Sequence, residues 1–179
     1  VVLFGFGRIG RLVARELIKQ AGKGQQLRLK GIVVRNISNE QMIKRCDLFR
    51  NDSVHGAYKA DIDLNLKEKC LTVNGQRIYF IEGKNPSEIN YNEYGINDAL
   101  LIDNSGAFTD KDSLSNHLES TGISKVLLTA PGKGIPNIVY GINSKELDIE
   151  NSKIVSAASC TTNCIAPILH VIESEYGIS

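Results

Sequence analysis

Two kinds of apolar pattern alternate along this chain. Residues 1–4, VVLF, are a continuous apolar run and read as a short buried strand. In 8–20, RIGRLVARELIKQ, the residues Ile9, Leu12, Val13, Leu17 and Ile18 recur at helical spacing and mark one face of a helix. AGKGQQ (21–26) reads as a surface loop, and LKGIVVR (29–35) as a second strand. In 39–49, NEQMIKRCDLF, Met42, Ile43, Cys46 and Phe49 again gather on one helical face. The middle of the chain changes character. DIDLNL and CLTV alternate with period two, and CLTV-NG-QRIYFI places Asn74-Gly75 between two strands, a hairpin signal because both turn residues tolerate positive φ. The first rhythm then resumes, with strands at 99–105, 125–131 and 153–159 and helices at 110–121 and 161–175.

Short apolar strands alternating with helices predict an α/β fold: a Rossmann-type, doubly wound, mostly parallel sheet covered on both faces, with an antiparallel hairpin inserted. Ligands of such sheets bind beyond the carboxyl ends of the strands. GFGRIG, RNIS, DNSGAF, TAPGKG and SCTTN each follow a predicted strand. Their convergence on one edge says more than any one of them. No internal repeat or low-complexity segment interrupts the pattern.

The chain's 179 residues suffice for one domain and part of a second. Apolar residues at 42% and charged residues at 23% fit a globular chain rather than a disordered one. A formal net charge of +1 without a basic block argues against nucleic acid as a partner. No run approaches the ~20 apolar residues of a membrane span, so no membrane partner is expected. No signal peptide is visible, and the first residue, a valine, already lies inside an apolar run, so the chain is expected to begin inside a longer protein.

Gly5, Gly7 and Gly10 fit the G-x-G-x-x-G pattern, which gains meaning from its place between a strand and a helix. There the first glycine permits a tight turn, the second lets the backbone approach a pyrophosphate, and the third packs helix against strand. The helix N-terminus adds free N–H groups and the positive end of its dipole. The same fingerprint wants an acid at the end of the second strand, to hold a ribose 2′-hydroxyl. Here Asn36 or Ile37 stands near that place, and the first acid beyond is Glu40. Asn36 can bond a ribose hydroxyl without repelling a 2′-phosphate, and Arg35 can attract one. The expected cofactor is NAD, with NADP possible and discriminated weakly.

The four cysteines are Cys46, Cys70, Cys160 and Cys164. A chain of this size and composition does not need a disulfide scaffold, and reduced thiols are expected. Cys160 and Cys164 have zinc-like spacing, but no second pair supports them and no metal is expected. Cys160 falls where a strand hands over to a helix. The dipole at that point favours the thiolate, which marks a nucleophile. Thr161 and Thr162 occupy the first turn, whose N–H groups suit an anion such as a substrate phosphate. Cys164, one turn on, reads as a buried packing thiol, with a redox pair as the alternative. A dinucleotide site and an activated thiol together suit oxidation of an aldehyde through a thiohemiacetal and an acyl thioester.

GFGRIGRLVAREL, DSVHGAY, VNGQRIYF, DNSGAF, TAPGKGIPNIVYGIN and IVSAASCTTNCIAPILHVI span nearly the whole chain, and in this order they resemble the N-terminal half of phosphorylating glyceraldehyde-3-phosphate dehydrogenases. The resemblance implies a dinucleotide-binding domain over 1–159 and the start of a catalytic domain over 160–179. It implies a cytoplasmic homotetramer acting on a phosphorylated aldehyde and inorganic phosphate. It makes Cys160 the nucleophile, flanked by Ser159 and Thr161 as substrate contacts, with Asn163 supporting the turn. Gly5, Phe6, Gly7, Arg8, Ile9 and Gly10 become the pyrophosphate loop, with Asn36 at the adenosine ribose. Lys84 falls near the adenine end, Ser105 and Gly106 by the second ribose, and Thr129 near the nicotinamide. His55 is read as structural. The chain departs from the family in three ways: Phe4 precedes the first glycine, the ribose-binding acid is missing from RNIS, and no histidine here is placed as the family's catalytic base. The chain alone is therefore expected to bind a dinucleotide and lack full activity. Erythrose-4-phosphate dehydrogenase is the alternative enzyme, and a non-catalytic nucleotide-binding or thiol redox-sensing protein is the alternative of another class.

Overall fold

Strand β1 (Val2–Phe4) shows why the apolar runs are continuous. Leu3 faces one buried cluster, while Val2 and Phe4 face another. Strand β2 (Gly31–Val34) repeats this, with Ile32 and Val34 on one side and Val33 on the other. A strand covered on both faces has no polar positions to alternate with. The computed structural model describes residues 1–24 and 26–178.

After β1, helix α1 (Arg8–Gly22) leads to β2, and α2 (Asn39–Arg50) follows. Short β3 (Asn51–Asp52) and β4 (Gly56–Ala57) pair with each other. Then come β5 (Ile62–Asn65), β6 (Cys70–Val73) and β7 (Gln76–Glu82), two 3₁₀ turns at Pro86–Glu88 and Tyr91–Tyr94, β8 (Ala99–Asp103), α3 (Lys111–Glu119), β9 (Ile123–Leu128), β10 (Ile154–Ser156) and α4 (Cys160–Tyr176). Among the described residues, eight strands form one sheet in the order β10-β9-β8-β1-β2-β7-β6-β5. From β10 to β7 every pair is parallel, and β7-β6-β5 is antiparallel. The expected α/β class and its hairpin insertion are therefore present. Asn74 (φ 48°) and Gly75 (φ 78°) both adopt the positive φ that a two-residue hairpin turn needs.

The α1 face differs from the one expected. Its buried residues are Gly10, Ala14 and Ile18, with Val13 and Leu17 packed beside them, and Ile9 is 53% exposed. The reason is steric: a Cβ on Gly10 would collide with the Gly5 carbonyl oxygen, so this small residue leads the helix onto the strand and turns Ile9 outward. α1 also runs to Gly22, into the segment expected to be loop; Gln25 lies outside the described residues. On α2, Met42, Cys46 and Phe49 are buried as expected, and Ile43 is exposed.

Three helices begin on a side-chain cap. Ser38, Asp110 and Ser159 accept from the N–H groups of Gln41, Ser113 and Thr162 respectively. Helix α1 begins on Gly7 with no such cap. Its first-turn N–H groups are left for something other than a neighbouring side chain.

Candidate functional site

A cleft of about 410 Å³ opens over the carboxyl ends of β1, β2, β7 and β8, at the point where the chain leaves β1 in both directions across the sheet. The β1 end contributes Phe4, Gly5, Phe6 and Gly7; the β2 end Val34 and Arg35; the β7 end Gly83 and Lys84; the β8 end Asn104 and Ser105. The three glycines behave as their spacing predicts. Gly5 has φ 95°, and a Cβ on it would stand 3.0 Å from the backbone of Ser105. Gly10 meets the Gly5 carbonyl. Gly7 has nothing within 4 Å of where its Cβ would project, so a ligand can reach its backbone. The open first turn of α1, carrying Arg8, Ile9 and Gly10, lies directly beyond. These features fit a pyrophosphate.

Of the residues assigned to cofactor from sequence, Gly5, Phe6, Gly7, Lys84 and Ser105 line this cleft; Arg8, Ile9, Gly10, Asn36, Gly106 and Thr129 do not. The Asn36 side chain turns back on its own loop, where Oδ1 accepts from the Ser38 N–H at 2.7 Å. Thr129 donates its hydroxyl to the Asp103 carbonyl at 2.9 Å and ties the ends of β8 and β9 together. The Arg8 guanidinium is drawn aside, 3.4 Å from Asp52 and 2.9 Å from the Ser53 hydroxyl, which leaves its backbone N–H as its possible phosphate contact. Sequence reasoning missed Arg45 and Gly83. Arg45 reaches the cleft from α2, and only the pairing of β2 with β7 places Gly83 beside β2. A Cβ on Gly83 would crowd the side chains of Ile89 and Val33, which would have to shift to admit it.

Two polar clusters brace the cleft. Asp52 accepts from the backbone N–H groups of His55 and Val54, each at 3.0 Å, and lies 3.1 Å from His55 Nδ1. The backbone bond from His55 leads the causes that hold this carboxyl far below the usual carboxylate range, followed by those from Val54 and the His55 ring. These contacts give His55 a structural place. Behind β8, Asp103 Oδ2 is 2.8 Å from His117 Nε2, both side chains fully buried, while Asp103 Oδ1 accepts from the Ser105 N–H at 2.7 Å. The pair fixes the loop that carries Ser105 into the cleft.

The cysteine loop sits on the same carboxyl edge, three strands from β1. Ala158 adopts φ 58°, then Ser159 caps α4 and Cys160 is its first residue. The Ser159 hydroxyl accepts from the Thr162 N–H at 2.9 Å. Asn163 Nδ2 donates to the carbonyls of Ala157 and Ser159 at 2.8 and 2.9 Å, holding the turn from inside. Cys160 and Thr161 are exposed. Cys164 is exposed as well, which corrects its expected burial: α4 has no buried residue, so its apolar positions have no core to enter. Cys46 and Cys70 are free and buried, and among the described residues no group of His, Cys, Asp or Glu could hold a metal.

The profile of the glyceraldehyde 3-phosphate dehydrogenase NAD binding domain matches residues 1–111. The chain belongs to this family. NAD is accordingly its cofactor. The chain is 49% identical over 179 residues to a glyceraldehyde-3-phosphate dehydrogenase-like protein of Pseudomonas aeruginosa, an alignment covering 99% of this chain and 39% of that protein. It is 36% identical to glyceraldehyde-3-phosphate dehydrogenase 2 of Bacillus subtilis (99% of this chain, 49% of the relative) and 36% identical to the glyceraldehyde-3-phosphate dehydrogenase of Chlamydia pneumoniae (100% and 50%). The chain thus spans half or less of the length of these relatives.

Proposed function

We propose that this chain is the cofactor-binding half of an NAD-dependent, phosphorylating glyceraldehyde-3-phosphate dehydrogenase, with residues 1–159 as the dinucleotide domain and 160–179 opening the catalytic domain. The observation that carries the reading is the meeting of two sites on one sheet edge: the uncapped glycine loop over β1 and an exposed cysteine at the first position of α4. Cys160 Sγ attacks the aldehyde carbon, forming a C–S bond and a thiohemiacetal. Loss of a hydride from carbon and a proton from oxygen gives the thioester, and NAD, when bound, accepts the hydride. Inorganic phosphate then attacks the thioester carbon, and the C–S bond breaks to release an acyl phosphate and the Cys160 thiolate. Thr161 and the first-turn N–H groups of α4 suit the phosphate groups, and Ser159 shapes the loop through its cap.

The proton needs a base, and the three histidines do not supply it. His55 serves Asp52, His117 is buried against Asp103, and His170 lies on the same helix as Cys160. Such a base is worth about 10²–10⁴-fold in rate. The chain by itself is accordingly a poor dehydrogenase. One relative, 38% identical and from Pisum sativum, is named a cytosolic glyceraldehyde-3-phosphate dehydrogenase, which supports a cytoplasmic place. No helix among the described residues is long and apolar enough to cross a membrane.

NAD binding by calorimetry, followed by steady-state NAD reduction with glyceraldehyde 3-phosphate and phosphate, tests the proposal. Binding with weak turnover that Cys160→Ser abolishes is the expected result. Binding with no thiol-dependent turnover in a version extended to the relatives' length would leave only a nucleotide-binding or thiol-sensing role, and preference for erythrose 4-phosphate would reassign the substrate.

A further inference from the structure

The end of the cleft formed by β2, β7 and α2 carries positive charge and no carboxylate. Arg35, Arg45 and Lys84 all line it, whereas none of its lining residues is Asp or Glu. None of the three cations pairs with a carboxylate among the described residues: the Arg45 guanidinium reaches only neutral partners, donating to the Gln41 carbonyl at 3.2 Å and to its side-chain oxygen at 3.0 Å. Arg45 is half-buried, and burial pulls its pKa down, the mark of a cation held without a counter-charge. The positions just past β2, where a dinucleotide site selective for NAD carries an acid, are Asn36 and Ile37, neither of them acidic. The Asn36 Oδ1 is engaged with the Ser38 N–H, and the first acid beyond, Glu40, lies inside α2 and does not line the cleft. Glu82, Glu88 and Glu93 line an adjoining hollow that shares Gly83 and Lys84.

We infer that Arg35, Arg45 and Lys84 form a subsite for the 2′-phosphate of the adenosine ribose, so that this chain binds NADP at least as tightly as NAD. The inference rests on the dinucleotide reading of the cleft and adds to it the selection between two cofactors. An acid past β2 would accept from the free 2′-hydroxyl and repel a phosphate there. In this chain no carboxylate lines the cleft to repel it, and three cations line it from a strand end, a helix and the loop after β7. Arg35 and Lys84 are exposed, and Arg45 is the most enclosed of the three. Arg45 therefore supplies direction, and the other two mostly long-range attraction that salt screens.

The test titrates the full chain with NAD and NADP, and with the half-ligands 5′-AMP and 2′,5′-ADP, at low and at raised salt. The expected result is an NADP dissociation constant equal to or below that of NAD, tighter binding of 2′,5′-ADP than of 5′-AMP, and a steeper salt dependence for the two 2′-phosphorylated ligands. Arg45→Gln should weaken NADP about three- to tenfold and NAD less than twofold. Asn36→Asp keeps an oxygen for the Ser38 N–H, so the loop should fold, and it should shift the NAD/NADP preference toward NAD about tenfold. A tenfold preference of the unaltered chain for NAD would overturn the 2′-phosphate subsite and leave the dinucleotide reading standing. Failure of both dinucleotides to bind would overturn both.

Discussion

The two halves of this site are built in opposite ways. The glycine-loop cleft is enclosed by its own chain: Phe4 and Phe6 beneath it are 7% and 6% exposed, and residues from seven strands and three helices fill the clusters on either side of the sheet. The cysteine helix has nothing behind it. Ile168 and Val171 are 57% and 59% exposed, and Ile165, Leu169 and Ile172 are exposed too. An apolar helix standing free of any core lacks the tertiary packing that supplies most of a helix's stability in proteins. The contrast teaches that the core of this chain backs the glycine-loop cleft and does not extend to the cysteine helix. It agrees with a chain that spans half or less of its relatives.

The contrast is widest in the thiols. Cys46 and Cys70 are 0% and 2% exposed, and burial pushes the Cys46 thiol further above its ordinary range. Cys160 and Cys164 stand in solvent. A maleimide should modify Cys160 and Cys164 within minutes at neutral pH and reach Cys46 and Cys70 only through unfolding, at least ~10³-fold more slowly. Peptide mapping over time decides it. Protection of Cys164 alone would show that α4 is covered in solution, by another copy of the chain, and would break the comparison.

The glycines separate stability from binding inside the cleft. Gly10→Ala drives a Cβ into the Gly5 carbonyl, with about 1–3 kcal/mol of overpacking set against about 1 kcal/mol of helix propensity gained. It should lower both the melting temperature and NAD affinity. Gly7→Ala meets nothing within 4 Å and keeps a negative φ, so the melting temperature should hold while NAD binding weakens tenfold or more. Equal effects of the two substitutions would mean that the loop binds nothing through the Gly7 backbone.

Acid should also divide the regions. The Asp52 carboxyl sits far below its ordinary range, held first by the His55 and Val54 N–H groups. A depressed carboxyl stabilises the fold above its unfolded pKa, near 4, and this contribution is lost as pH falls below that value toward the folded one. Asp52→Asn should therefore flatten the loss of stability between about pH 4 and pH 2 and leave the order of Cys160 labelling untouched. An unchanged acid-unfolding curve would place the pH sensitivity elsewhere.

The strands, the hairpin and the glycine loop were legible because each rests on local chemistry: period, turn residues at Asn74-Gly75, and a glycine spacing that encodes a close approach. What stayed hidden depended on partners distant in sequence. Arg45 lines the cleft because α2 packs into the same core cluster as Ile32 and Val34 of β2, and Gly83 because β7 pairs with β2. Asn36 looked like a ribose ligand because its type was right, but the Ser38 N–H two residues on claims its oxygen. Ile9 and Ile43 followed the helical period, yet the face of each helix is set by what it leans on, and for α1 that is the contact of Gly10 with Gly5. Cys164 was misplaced for the plainest reason: an apolar helical stretch predicts burial only where a core exists to receive it.

The smallest expected effect lies at Ala158, the residue before the cap of α4. Its φ of 58° is one that alanine adopts at a cost of roughly 1–2 kcal/mol, and it is 6% exposed. Ala158→Gly removes that strain. It also removes a buried methyl worth about 0.8 kcal/mol and adds about 0.4–1 kcal/mol of unfolded-chain freedom. The three nearly cancel, so stability should change by less than about 1 kcal/mol in denaturant unfolding. Ala158→Val retains the φ and adds β-branching, and it should cost at least ~2 kcal/mol, since a branched side chain is an outlier there. The backbone at Ala158 aims Ser159 and Cys160, so relaxing it should alter the Cys160 labelling rate more than it alters the melting temperature. A glycine variant that loses several kcal/mol would show instead that the Ala158 methyl is a packing contact, and that the turn before Cys160 belongs to the enclosed half of the molecule.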